Sequence, residues 1–498
     1  MTAPRNWLRV LVKGFLRVAF PIYYRSIQVQ GMELVPREGP VLLVANHPNS
    51  LLDPAILVRL LPRPVHLGAK HTLFTGPLRS ILTAFGAIPL VRAQDEHRAM
   101  HRNLAALDRY ETLLRECRIA AIFPEGLSQD DPRVATLKTG AARIALQAES
   151  SLNFQLSLRI LPVGLQFEPR RRFRADAFAR FGEPFKIGNL AQDYAENPRR
   201  TVRLLTNRIE ASLQRLAFHV ENPAQIPFVE RIVDVYVGRA RRSGLAGVDW
   251  RGIRGELLHK TADCLNYFGE SDPAAVSAVE HRLKHYERLR ETAGINPRLL
   301  EEPSLLLSGP LAPIQAVTET VLGALPALFG FVTGAVPYYL TRALSRHIAL
   351  QKRHFSALSL THILAGAIAF PLTYAVEIWW VWKNSSDAAT LVFSALLVPA
   401  GLFALFYLHR VRKLAVHLGG RAAGLLKLEA VARVATERHN LLDLLDHMRD
   451  RYRVEVLGWD PLNLTSPHQP SSGRGFSVAG IGATQRLGWC CKGDLDYQ

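Results

Sequence analysis

From Ala388 to Leu408 the chain carries no charged residue. At 1.5 Å per helical residue this run covers about 30 Å, the hydrocarbon thickness of a bilayer. A backbone crossing hydrocarbon has to satisfy its own amides, which restricts the run to helix. Ala357 to Trp382 is a second such run, with Trp379, Trp380 and Trp382 placed as an interfacial belt and Glu377 close enough to that end to snorkel. A third, Ile314 to Leu340, is interrupted by Pro326 and Pro337 and by Gly323, Gly330 and Gly334. Its prolines predict a broken, re-entrant hairpin in place of a span. Arg342, Arg346, Lys352 and Arg353 follow that run, Lys383 alone follows the second, and Arg410, Arg412 and Lys413 follow the last. The positive-inside rule places the first and last groups in the cytoplasm, and a re-entrant hairpin keeps the N-terminal part of the chain there too. Residues 311–410 are therefore expected to form a broken hairpin plus two spans.

The N-terminal part reads differently. Residues 1–26 are expected to form an amphipathic helix at a membrane interface, because Arg5, Arg9, Lys13 and Arg17 recur every four residues among Trp7, Phe15, Phe20, Tyr23 and Tyr24. Residues 27–190 alternate strand-like and helical pieces, the pattern of an α/β domain with a mainly parallel sheet. Strands are expected at Val41–Val44, Val65–Lys70, Gly86–Arg92, Ile119–Phe123 and Ile160–Leu165, the last completing the set. Residues 191–310 read as a helical extension without a chemical motif, residues 411–460 as amphipathic helices, and residues 461–498 as a disordered Ser/Gly/Pro-rich tail.

Within the α/β region, one stretch carries a recognisable chemistry. Val41-Leu42-Leu43-Val44 reads as a buried strand that runs into Asn46-His47-Pro48, and Asp53-Pro54 opens the next helix with Asp53 as its N-cap. A histidine then sits at the carboxyl end of a strand, where open α/β sheets bind ligands. An imidazole whose far nitrogen is held by a carboxylate acts as a general base at neutral pH. Arg92 and Glu125 fall at the ends of two further strands and are expected on the same rim as His47.

The chain of 498 residues has a net charge of +18. Such a balance fits anionic lipids and acidic substrates. Nucleic-acid binding is not expected, because the basic residues are dispersed or flank apolar runs and no recognition motif occurs. Cys117, Cys264, Cys490 and Cys491 have no metal or redox spacing, so a reducing compartment is expected, and no metal is implied. Arg9, Lys13 and Arg17 interrupt the apolar region that a cleavable signal peptide needs.

Four blocks in order, Asn46-His47…Asp53, Gly86…Arg92, Phe123-Pro124-Glu125-Gly126 and Leu161-Pro162-Val163-Gly164, followed by Phe181-Gly182-Glu183-Pro184, resemble the glycerolipid acyltransferase family, which includes the glycerol-3-phosphate and lysophosphatidic acid acyltransferases. The resemblance covers about residues 25–190. Two departures are visible. Five residues separate His47 from Asp53 where the family usually has four, and Leu127-Ser128 follow Gly126 where many members have Thr-Arg.

The resemblance implies a membrane-bound enzyme of phospholipid (phosphatidic acid) synthesis. It would move a fatty acyl group from acyl-CoA or acyl-ACP to a hydroxyl of glycerol-3-phosphate or 1-acyl-glycerol-3-phosphate, with no bound cofactor. His47 would be the base and Asp53 its orienting carboxylate. Among the substrate-binding residues, Arg92 would hold the acceptor phosphate with its bidentate guanidinium, Glu125 would hydrogen-bond glycerol hydroxyls or brace the site, Gly126 would permit close backbone approach, and Lys70 and Lys138 would be lesser phosphate candidates. The run Asn46 to Ser50 and the long C-terminal membrane region are most similar to bacterial relatives, which implies the cytoplasmic membrane with the catalytic domain facing the cytoplasm. Competing expectations are an acyltransferase for another lipid or amino-lipid acceptor, and an inactive membrane scaffold.

Overall fold

The structure is a computed structural model that describes residues 6–75, 79–91, 100–126, 133–168, 173–242, 250–295, 311–352, 358–426, 428–456 and 458. The chain divides into two compact units, one of residues Met1–His219 with Ala343–Ala365, the other of Val220–Arg342 with Gly366–Gln498.

The first unit is built on an eight-stranded sheet. Its elements are α1 (Asn6–Tyr23), β1 (Tyr24–Gln30), β2 (Val41–Ala45), α2 (Leu52–Leu60), β3 (Val65–Lys70), α3 (Arg79–Ala84), β4 (Ile88–Leu90), α4 (Met100–Arg115), β5 (Ile119–Ile122), α5 (Gly140–Ser150), β6 (Arg159–Glu168), β7 (Ala175–Phe181), β8 (Phe185–Lys186), α6 (Ala191–Glu196) and α7 (Pro198–Leu216). The strand order is β1-β7-β6-β2-β5-β3-β4, with β8 on β6. Every pair is parallel except β6 with β7 and β6 with β8. β2 is buried along its whole length, as expected of a central strand with helices on both faces. Leu43 and Ala45 face a cluster with α1 and α2, while Leu42 and Val44 face α4, α5 and α7.

Three sequence expectations are corrected in this unit. Ile160–Leu165 does not complete the set of strands, because β6 runs on to Glu168 and turns back into β7, which brings β1 into the sheet. The unit also passes residue 190. α7 belongs to it, because Gly164 lacks a Cβ that would overlap the Leu216 carbonyl, and the end of α7 settles directly on β6. Finally, the cationic stripe of α1 does not all face outward. Arg9 donates to the Ala84 carbonyl and lies 5.8 Å from the Phe85 ring centroid, so its charge is spent on the protein. Leu16, Phe20 and Tyr23 share that inner face, while Trp7, Val10, Leu11, Val18 and Ile22 are exposed. The outer face of α1 is thus more apolar than the repeat of basic residues implies. Arg5 and the tail 461–498 lie outside the described residues, as do Cys490 and Cys491.

The second unit comprises α8 (Ile226–Arg242), α9 (Trp250–Ser271), α10 (Pro273–Ala293), α11 (Leu311–Lys352), α12 (Leu358–Asn384, which begins in the first unit), α13 (Asp387–Leu426) and α14 (Leu428–Glu455). α14 lies along α8, α9 and α10. The buried Arg438 guanidinium donates to the Val235 carbonyl at 3.0 Å, Arg451 to Asp272 at 2.9 Å, and Tyr236 to Asp446 at 3.2 Å. Segments Thr320–Ile348, Thr361–Asn384 and Asp387–Leu408 are long and apolar enough to cross a membrane. The expected break in the first of them is overturned, since α11 is one continuous helix that contains both Pro326 and Pro337. A proline inside a helix removes one hydrogen bond and bends the axis, and it need not end the helix when neighbours repack around it.

Replacing Gly164 by alanine would drive a methyl group into the α7 backbone. Overpacking of this kind costs about 1–3 kcal/mol, so Gly164→Ala is expected to lower the thermal midpoint of the purified protein. A midpoint equal to that of the parent would show that α7 is not seated through this contact.

Candidate functional site

The carboxyl ends of β2, β5, β3 and β4 lie side by side and point the same way, so the segments that leave them share one rim. β2 delivers Asn46 and His47, β5 delivers Phe123 to Gly126, and β3 ends in the half-buried Lys70. β4 ends at Leu90, and Arg92 lies outside the described residues.

His47 Nδ1 is 2.8 Å from Asp53 Oδ2. The Asp53 carboxylate is fully buried and the His47 side chain is 14% exposed. Asp53 is not the helix N-cap that its place before Pro54 predicts. α2 starts at Leu52 with Leu51 as its cap, which puts Asp53 inside the first turn. There its carboxylate turns back to accept from the Asn49 amide at 2.8 Å as well as to meet His47. With Nδ1 engaged by an acceptor-only carboxylate, the neutral ring carries its proton on Nδ1, and Nε2 is left with its lone pair. The ring also stacks on Phe123, with centroids 4.3 Å apart and planes 20° from parallel, so its orientation is held from the face as well as the edge.

The five-residue spacing between His47 and Asp53 is accommodated within the loop. Ser50 adopts φ +49°, a left-handed conformation unusual for a residue with a Cβ. That reversal takes up length, so the side chains meet despite the longer loop. Asn49 is buried beside it and donates from its side chain to the Tyr24 hydroxyl at 3.4 Å. Burial pushes the Tyr24 phenol well above its ordinary pKa, and the neighbouring Tyr23 and Asp53 push the same way. Tyr24 is therefore a neutral buried group behind the pair.

Glu125 is buried, and its Oε1 accepts from the His47 backbone amide at 3.3 Å. It thus ties the end of β5 to the end of β2. Gly126 has φ +74°, and the Lys138 side chain lies directly over it, 3.0 Å from where a Cβ would stand. The Lys138 amide donates to the Pro124 carbonyl at 2.9 Å, which pins the lysine segment to the same turn. The structure therefore brings His47, Asp53, Glu125, Gly126 and Lys138 together, with Lys70 on the neighbouring strand end.

Asn46 was not singled out from sequence. Its buried side chain donates to the Leu165 carbonyl at 2.9 Å and accepts from the Leu165 amide at 2.6 Å. It reproduces one more backbone pair between β2 and β6 after the strand itself has ended. The signal was an amide residue immediately between an apolar strand and a histidine, where its two-sided hydrogen bonding can hold the strand exit.

Comparison with known proteins bears on this arrangement. Residues 26–166 match the family model described as Acyltransferase. The chain is 23% identical over 324 residues to "Glycerol-3-phosphate O-acyltransferase 1" of Saccharomyces cerevisiae, an alignment covering 47% of this chain and 43% of that protein. It is 24% identical over 143 residues to "1-acyl-sn-glycerol-3-phosphate acyltransferase" of Borreliella burgdorferi, covering 29% of this chain and 55% of that one. The chain thus spans about half the length of these curated relatives. A crystal structure of the 1-acyl-sn-glycerophosphate (LPA) acyltransferase, PlsC, from Thermotoga maritima aligns with 43% of this chain and 84% of its own at 18% identity and a TM-score of 0.30.

Truncating Asn46 to alanine would leave the Leu165 amide and carbonyl buried without partners, a loss of about 1–3 kcal/mol per group. Asn46→Ala is expected to lower the thermal midpoint, while Asn46→Asp keeps only the acceptor half and falls short of the parent. Indistinguishable midpoints for all three would remove Asn46 from the support of the strand exit.

Proposed function

We propose, on the ground that residues 26–166 match the Acyltransferase family model, that this protein transfers a fatty acyl group from an acyl thioester, acyl-CoA or acyl-ACP, to a hydroxyl of a glycerol phosphate. The acceptor is glycerol-3-phosphate or its 1-acyl derivative, and the product feeds phosphatidic acid synthesis. One observation carries the reading: the buried Asp53 carboxylate holds His47 Nδ1 at 2.8 Å, so Nε2 is the free basic nitrogen on the rim.

The acceptor supplies the nucleophile. His47 Nε2 takes the hydroxyl proton as the oxygen attacks the thioester carbonyl, a role worth about 10² to 10⁴ in rate. Asp53 fixes the tautomer and stabilises the imidazolium that forms, as the carboxylate does in a serine hydrolase. When the tetrahedral intermediate collapses, the C–S bond breaks and the imidazolium returns its proton to the departing thiolate. Glu125 braces the base through the His47 amide.

Arg92 and Lys138 are assigned to the acceptor phosphate, with Lys70 as an auxiliary charge. Lys138 overlies Gly126 in a turn where many family members follow the glycine with Thr-Arg, so a cation is supplied from a different position. The protein acts at the cytoplasmic membrane with the α/β domain facing the cytoplasm. The exposed Trp7, Leu11, Val18 and Ile22 of α1 would enter the lipid interface.

His47→Ala is expected to reduce acyl transfer by about 10² to 10⁴ without loss of membrane association or fold, read with labelled acyl-CoA and glycerol phosphates on purified protein. Retained turnover would refute the base assignment. Arg92→Ala and Lys138→Ala should raise KM for the phosphorylated acceptor far more than for the acyl donor. If neither variant shifts the acceptor KM, the phosphate is held elsewhere. A preference for a non-phosphorylated lipid alcohol in the same assay would redirect the acceptor class, and no transfer to any acceptor would favour a scaffold.

A further inference from the structure

We propose that α11 does not cross the membrane but is bedded in it from the side that holds α8–α10 and α14, leaving α12 and α13 as the chain's two crossings. The proposal rests on the membrane reading above and adds which apolar surface meets which lipid layer. By length and composition alone Thr320–Ile348 qualifies as a span equal to the other two. Three crossings would place the chain before α11 and the chain after α13 on opposite sides. Yet those two parts form one bundle. α14 packs along α8–α10 through the Arg438–Val235, Arg451–Asp272 and Tyr236–Asp446 hydrogen bonds. Polar contacts of this number belong in water or at its edge, so the crossings between the two parts are even in number.

The contacts of α11 identify the helix that stays. α12 and α13 are joined by Ser385 and Ser386, and this turn marks the far end of a hairpin. Near the start of α11, the Thr320 carbonyl accepts from the Tyr407 hydroxyl at 2.8 Å. Tyr407 stands about 30 Å along α13 from the turn, at 1.5 Å per residue. Further along α11, Thr341 packs on Gly366, where an added Cβ would lie 3.8 Å from its methyl group. Gly366 stands about 27 Å along α12 from the turn. Thr320 and Thr341 are themselves about 31 Å apart along their helix, and a crossing helix would carry one of them to the turn. Both instead meet the hairpin at its near end.

The middle of α11 goes deeper. A Cβ on Gly330 would overlap the Ala400 carbonyl, at a point about 20 Å from the turn, and the Phe329 ring lies 5.5 Å from that of Phe393, which stands about 9 Å from the turn. The middle of α11 thus dips below the near interface, its backbone by about 10 Å and its Phe329 ring further, before the helix returns. Pro326 and Pro337, with Gly330 and Gly334 between them, supply the bend. The occupant of the outer face is hydrocarbon, since Val321, Leu322, Leu325, Leu328, Val332 and Val336 are all exposed. Arg342, Arg346, Arg410, Arg412 and Lys413 then fall at the near end and Lys383 alone at the far end, as the positive-inside rule requires of a cytoplasmic near side.

The test is cysteine accessibility in the full chain, expressed in a bacterial membrane with Cys117, Cys264, Cys490 and Cys491 replaced by serine. Single cysteines are placed at four exposed positions, Glu221→Cys, Ala343→Cys, Ser385→Cys and Thr436→Cys. A membrane-impermeant maleimide is expected to label Ser385→Cys in intact cells and the other three only after permeabilisation. Labelling of Glu221→Cys and Ala343→Cys from opposite faces would make α11 a span and overturn the proposal, as would Ser385→Cys reacting from the same face as the rest. Release of the parent protein by alkaline carbonate would instead remove the membrane reading itself, which the labelling pattern leaves separate.

Discussion

The contact on which the site depends is that between His47 Nδ1 and a carboxylate with no access to solvent. A buried, unpaired Asp53 would be costly, and a histidine on a free loop would sample many orientations. Each residue therefore limits the other, and the surrounding hydrogen bonds finish the task. Asn49 satisfies the carboxylate from its backbone, Glu125 holds the histidine amide, and Asn46 extends the sheet past its last regular residue. His47 follows within two residues of the end of a fully buried strand.

This arrangement also explains how the chain tolerates a longer interval between histidine and aspartate. What the chemistry needs is the separation of two side-chain atoms, and a loop can preserve that separation while its length changes. Here the extra residue is absorbed by left-handed backbone at Ser50 and by the entry of Asp53 into the first turn of α2. Similarly, the turn after Gly126 lacks the arginine common in the family, yet Lys138 reaches the same glycine from a neighbouring segment.

The apolar helices show the limit of reading membrane structure from hydropathy. α11 and α13 are both continuous helices with a segment long and apolar enough to cross a membrane. The difference lies in what their ends touch. A pair of antiparallel helices joined by two residues defines a depth scale, and α11 returns to the level at which it began on that scale. The prolines that suggested a chain break are compatible with a bent continuous helix, because a missing hydrogen bond alters curvature before it ends the helix.

Much of the first unit was legible in the sequence for a simple reason: parallel strands buried on both faces appear as short runs of Val, Ile, Leu and Ala, and helices between them have their own period. The residue types at the strand exits, His47, Glu125 and Lys70, were legible for the same reason. The antiparallel β7 with its partner β1, the docking of α7 on Gly164, and the inward turn of Arg9 were not, because each depends on residues distant along the chain. Sequence alone determined which chemical groups were available and that part of the chain had to leave water. Only the tertiary structure decided that Asp53 serves the histidine and does not cap its helix, and that Asn46 closes the strand exit. Local pattern reports propensity and burial, whereas a hydrogen bond between remote segments exists only once the fold has brought its donor and acceptor within about 3 Å.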